Sequence, residues 1–258
     1  MKNLHLLTIS NIRDDTVAVE HLFSQLQDLQ LSDIELAVHL SFLEIEFRLR
    51  KGHYQRAIKI IEQIAQSMQQ DNFDVYTQIK LLCYKVRILE KTGQAERGFS
   101  LAMRAANIAH RSRVLPGLWE AIGVLATVLL SLREYEAASE MMESIMPQIL
   151  EFDDRALTAR SYSVLVDANM GLAGEYSSAG RKQTVPDPAK RKEYVTRALT
   201  YIDYSYEEYE EIEDLSGQCE MMAKKATVMH LSGDPVLAND YAAKYLDLKK
   251  HAAAERAD

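Results

Sequence analysis

Cysteine, glycine and proline are scarce in this chain of 258 residues, which has two, ten and five of them respectively. The two cysteines, Cys83 and Cys219, fall on separate apolar-periodic segments. There is no Cys-x-x-Cys and no Cys/His cluster, so neither a disulfide framework nor a zinc site is supported, and a reducing compartment, nucleus or cytoplasm, is expected. So few glycines and prolines argue against the many tight turns of an all-β fold. Long apolar runs are missing too. The longest, GVLATVLLSL, is well under the ~18 residues of a membrane span. The amino end, MKNLHLLTISNIRDD, is too weakly apolar for a signal peptide. Positive charge is in deficit, with 30 Lys and Arg against 38 Asp and Glu and a net charge of −8. Such a chain has no electrostatic footprint for nucleic acid or an anionic membrane. None of the seven histidines pairs at metal-ligand spacing, and no His-Glu-x-x-His, Gly-x-Ser-x-Gly or Gly-x-Gly-x-x-Gly occurs. GLAGEYSSAGRK has the wrong spacing for a phosphate loop. The sequence therefore points away from an enzyme, a cofactor, a metal and a small-molecule substrate.

Helix formers are abundant, and one pattern of them recurs. In RKGHYQRAIKIIEQIA the set Gly52, Tyr54, Ala57, Ile61 and Ile64 has a small residue followed by apolar residues at helical spacing. The same offsets give Gly93, Ala95, Gly98, Ala102 and Ala105, then Arg133, Tyr135, Ala138, Met142 and Ile145. They recur at Gly233, Pro235, Ala238, Ala242 and Tyr245, and more weakly at Glu193, Val195, Ala198, Ile202 and Ser205. Successive copies start 41, 40, 60 and 40 residues apart. A period near 40 with one extra block is the signature of a helical-hairpin solenoid. Each first position ends one helix, where Gly52, Gly93 and Gly233 supply the left-handed backbone for the turn. Arg133 in that slot departs from the pattern, at a cost of about 1 kcal/mol or more unless the turn takes another form. Ala57, Ala138, Ala198 and Ala238 let the two helices approach closely.

The expected fold is all-α: a right-handed superhelical solenoid of antiparallel helix pairs, tetratricopeptide-like, with a period of about 40. Residues 1–32 form an amino-terminal helix or a truncated repeat, with an amphipathic helix over 14–30. Five hairpins fill 33–253, and 254–258 is a tail. An insertion at about 174–190, rich in Gly, Ser and Pro, reads as a loop. With its flank it carries Arg181, Lys182, Lys190, Arg191 and Lys192, which could hold an acidic neighbour. First helices of the pairs would line a binding face through His39, Phe42, Glu46 and Arg50, then Lys80, Cys83, Arg87 and Lys91, then Glu120, Gly123 and Thr127. Lys80, Arg87 and Lys91 are candidates for an acidic segment. The paired Asn and Lys of a terminal-carboxylate clamp are missing.

The Gly–Tyr–Ala spacing resembles the tetratricopeptide repeat, although 40 exceeds the usual period of about 34. The order of features is similar to the carboxyl-terminal repeat region of subunit five of the anaphase-promoting complex. That family has a Pro-x-Ile-Leu-Glu, matched by Pro147, Ile149, Leu150 and Glu151, and an Asp-Arg pair opening the next helix, matched by Asp154 and Arg155. Leu231, Gly233 and Asp234 match its closing hairpin. The resemblance covers about 35–253. It implies a non-catalytic scaffold of a cell-cycle ubiquitin ligase, in nucleus and cytoplasm, beside subunits one, four and fifteen. The alternative is a peptide-binding tetratricopeptide adaptor or co-chaperone module.

Overall fold

The computed structural model describes residues 19–23, 34–67, 74–174 and 187–254. Among the described residues ten long helices follow one another: α1 (Ile34–Arg50), α2 (Tyr54–Ser67), α3 (Val75–Lys91), α4 (Ala95–Ser112), α5 (Leu115–Ser131), α6 (Tyr135–Glu151), α7 (Arg155–Leu172), α8 (Pro188–Glu211), α9 (Leu215–Leu231) and α10 (Pro235–Ala254). Residues 19–23, within the helix expected over 14–30, are helical as well. No strand occurs among the described residues. The fold is an all-α succession of helical hairpins, whose short connections make neighbouring helices antiparallel. The chain divides into two compact units, Met1–Ala121 and Ile122–Asp258, with the division inside α5.

One backbone device repeats down the chain. Gly52, Gly93 and Gly233 take φ values of 72°, 74° and 83°, as the sequence requires of them. Arg113, Arg133, Asp153 and Glu213 adopt the same left-handed conformation, with φ of 56°, 67°, 55° and 54°. Arg133 thus keeps the turn and bears its strain. At six of these seven positions the N–H one residue on reaches the carbonyl five residues back. His53 donates to Arg48 O at 2.8 Å, Gln94 to Leu89 O at 2.7 Å, Val114 to Ala109 O at 3.0 Å and Glu134 to Leu129 O at 2.9 Å. Asp214 to Tyr209 O and Asp234 to Met229 O complete the series at 2.9 and 3.0 Å. These are Schellman closures, which satisfy the last carbonyls of each helix before the chain turns.

Aspartates start the next helices. Asp74 accepts from Thr77 N at 2.6 Å, Asp154 from Leu157 N at 2.9 Å, Asp214 from Gly217 N at 3.1 Å and Asp234 from Leu237 N at 3.0 Å. Each removes one orphan donor from a helix amino end. Asp187 caps α8 in the same way, with Pro188 as its first residue. Residues 187–190 were expected in the inserted loop. They form the start of a helix because Asp-Pro supplies a cap and a preset φ. Glu193 is consequently an interior position of the 24-residue α8 and not a turn residue. Arg181 and Lys182 lie outside the described residues, as do most of 1–32 and the tail beyond 254.

Packing follows the repeated offsets. In the first unit Ala57, Ile61 and Ile64 of α2 are buried with Phe42, Ile45, Leu81, Tyr84 and Ile88. Val19 and Phe23 pack with Leu40, Leu43 and Phe47 on the other side of α1. In the second unit Ala198 and Ile202 of α8 join Ala159, Val166 and Met170 of α7 and Met221 and Val228 of α9. Ala138 is fully buried, and Ala238 is 8% exposed. The apolar run of α5 buries Val124, Leu125, Ala126, Val128 and Leu129, as a helix covered on most sides must. No described helix is long and apolar enough to cross a membrane.

Candidate partner-binding surfaces

The first helices of the pairs bring charged side chains together, because positions three or four apart share a helix face. In the first unit, α1 offers Glu46, α3 offers Tyr84 and Arg87, and α5 offers Glu120. The buried Tyr84 hydroxyl donates to Glu46 Oε1 at 2.9 Å. Arg87 Nη2 donates to Glu120 Oε1 at 3.4 Å, and its guanidinium lies 5.5 Å from the Tyr84 ring centre. Burial, then the Glu46 carboxylate, drives the Tyr84 phenol well above its ordinary range. Burial, helped by Glu120, pushes the Cys83 thiol up to about 12. Lys80 Nζ sits 5.2 Å from the centre of the Phe42 ring and 5.5 Å from that of Tyr76. Burial and then the Lys80 charge lower the pKa of His39.

The second unit repeats the arrangement with other residues. Lys224 of α9 is only 14% exposed and lies 2.9 Å from Asp167 of α7 and 2.7 Å from Glu220. It also donates to Ser163 Oγ at 2.9 Å. Burial alone would lower its pKa. The Asp167 and Glu220 carboxylates overcome that and hold the ammonium above its ordinary value.

The sequence-selected cations divide accordingly. Arg87 is engaged by Glu120, Lys80 lies over two rings, and Lys91, 3.3 Å from its neighbour Glu90, is largely exposed. Arg191 donates to Leu231 O at 3.2 Å, where a cation complements the carboxyl end of α9. Lys190 and Lys192 are exposed in the opening turns of α8. Among the described residues no group of three or more His, Cys, Asp or Glu is placed to hold a metal ion.

Exposed apolar side chains have a different distribution. Phe99 and Met103 are on α4, Leu150 and Phe152 at the end of α6, Tyr204 on α8, and Val236, Leu237 and Leu246 on α10. Among the described residues, Leu115 is the only large exposed hydrophobic on a first helix of a pair. The offsets that identify buried positions leave these unassigned, so the sequence reading did not select them. On α4, Ser100, Met103, Arg104, Asn107, Ile108 and Arg111 line a shallow groove of about 420 Å³.

No protein-family model matches the chain, and no curated protein matches it. Solved structures do. The quorum sensor NprR in complex with its cognate peptide NprX has a TM-score of 0.37 and 12% identity, over 95% of this chain and 77% of that one. The apo form of NprR from B. thuringiensis has a TM-score of 0.44 and 12% identity, over 96% and 76%.

Proposed function

We propose that this chain is a non-catalytic interaction module that engages protein partners through the outer faces of its second helices. The supporting observation is where the exposed apolar side chains lie. First helices direct charge into internal pairs, Arg87 with Glu120 and Lys224 with Asp167 and Glu220. Second helices leave Phe99, Met103, Leu150, Phe152, Val236 and Leu237 in water. Apolar surface left exposed while polar groups are internally satisfied is what an interface presents before its partner arrives. Affinity capture from cell lysate with quantitative mass spectrometry tests this. Enrichment of defined proteins over a scrambled-surface control is expected, and none enriched would end the reading.

The resemblance at Pro147, Ile149, Leu150, Glu151, Asp154 and Arg155 supports a second, narrower reading, a scaffold subunit of the anaphase-promoting complex in nucleus and cytoplasm. Leu150, within that motif, is 50% exposed on the outer side of α6. Recovery of subunits one, four and fifteen in the same capture would support it. A library of short acidic peptides separates scaffold from adaptor. Tight binding of one short peptide at Lys80 and Arg87 favours the adaptor.

A further inference from the structure

The α4 groove is more specific than an apolar patch. Its lining residues are spaced 100, 103, 104, 107, 108 and 111, a stripe running along one helix for about 16 Å. Met103, 40% exposed, and the adjoining Phe99, 37% exposed, form its apolar end. Arg104 and Arg111 stand seven residues apart within it, and neither has an ion pair among the described residues. The one acidic residue of α4 is Glu96, in its first turn. Arg111 lies in the last turn, where the helix dipole favours a cation. Arg104 lies two turns earlier, beyond the reach of that effect. The guanidinium of Arg104, beside exposed Phe and Met in a chain of net charge −8, therefore has neither an ion pair among the described residues nor a helix terminus to complement.

We propose that the outer face of α4 docks an acidic amphipathic helix of a partner protein. Resting on the interaction reading above, this names the chemistry of one partner. Ridges of side chains three and four apart on α4 accept the corresponding ridge of a second helix. Apolar residues of that helix cover Met103 and Phe99, and carboxylates two turns apart meet Arg104 and Arg111. Guanidinium suits this role because it pairs bidentately with a carboxylate and sheds water more readily than an ammonium. Arg104, Arg111 and Met103 are specificity residues here, and the charges set the partner's sign.

The test uses the full chain and a synthetic helical peptide with leucines at three- and four-residue spacing and glutamates seven apart. Fluorescence anisotropy should show saturable, micromolar binding that weakens as salt is raised. The double variant Arg104→Glu, Arg111→Glu should weaken it about tenfold or more, and Met103→Ser should also weaken it. All are exposed positions, and unchanged thermal unfolding checks that the variants fold. The peptide with glutamates replaced by lysines should not bind. Absence of saturable binding overturns the proposal. So does binding untouched by the double variant, or equal binding of the lysine peptide. Preference for phosphatidylserine vesicles or duplex DNA over the peptide overturns it as well. Self-association in sedimentation velocity that the double variant abolishes would assign the face to a second copy instead. If the double variant captures the same lysate proteins as the wild type, the α4 proposal fails and the interaction reading stands.

Discussion

The ring of Tyr209, at the end of α8, lies flat against Gly217, in the first turn of α9. A Cβ at Gly217 would stand 2.4 Å from Cγ and Cδ1 of that ring. A Cβ at Gly171 of α7 would stand at the same 2.4 Å from the ring of Tyr135, which opens α6. Each glycine is a socket for a tyrosine on a neighbouring helix. Alanine should improve helix propensity by up to about 1 kcal/mol, but overpacking dominates. Gly217→Ala and Gly171→Ala should each lose about 1–3 kcal/mol in urea unfolding. Gly123→Ala, where an added Cβ meets nothing within 4 Å, should be neutral or stabilising. Equal effects at all three sites would refute the socket.

The left-handed turns predict the opposite sign at neighbouring positions. Arg133→Gly, Asp153→Gly and Glu213→Gly relieve a backbone that L-residues adopt at a cost of about 1 kcal/mol or more. Glycine's greater freedom in the unfolded chain takes back part of the gain. A net stabilisation of about 0.5 kcal/mol each is expected, readable as a higher urea midpoint with an unchanged slope. Gly52→Ala and Gly93→Ala should lose about 1 kcal/mol, although open space surrounds both.

Lys224 should behave as a shared counter-ion. Lys224→Met strips two carboxylates, Asp167 and Glu220, of the cation between them and should cost about 2 kcal/mol. Adding Asp167→Asn should cost less than the sum of the two single changes. A double-mutant cycle with no coupling would show that Lys224 packs there only through its methylenes.

Alkaline pH should weaken the first unit before it affects lysine pairs. The Cys83 thiol is pushed up to about 12 in the folded chain, against about 8.5 unfolded. The unfolded state therefore gives up its proton first, and stability falls as pH rises above about 8.5. The raised value of Lys224 works from higher up: its contribution is intact below about 10.4 and is lost only as pH climbs through the folded value. Between these limits, Cys83→Ala should flatten the decline of stability with pH. An identical pH profile in the variant would mean that Cys83 ionises freely.

Glu20 should matter at the acid end. The Arg48 guanidinium donates to it and holds its carboxyl below the usual range. Its contribution is present above about pH 4.3 and is lost as pH falls through the lower folded value. Glu20→Gln should therefore reduce the acid sensitivity of the first unit, followed by circular dichroism.

The sequence by itself determined the local grammar. Gly52, Gly93 and Gly233 announce turns because no other residue enters the left-handed region freely, and Ala57, Ala138 and Ala198 announce close helix contacts because nothing larger fits. Both facts belong to single residues and their spacing. The Asp187–Pro188 start of α8 was equally local, and was obscured by the loop-like composition just ahead of it. Tertiary structure decided what no offset encodes. Arg133, Asp153 and Glu213 are held left-handed because the packed helices on either side fix where the chain must turn, and that packing outweighs their backbone preference. It also decided that Arg87 meets Glu120, 33 residues away, while Arg104 has no ion pair among the described residues. Charge pairing depends on distance across helices, and only the assembled hairpins set that distance.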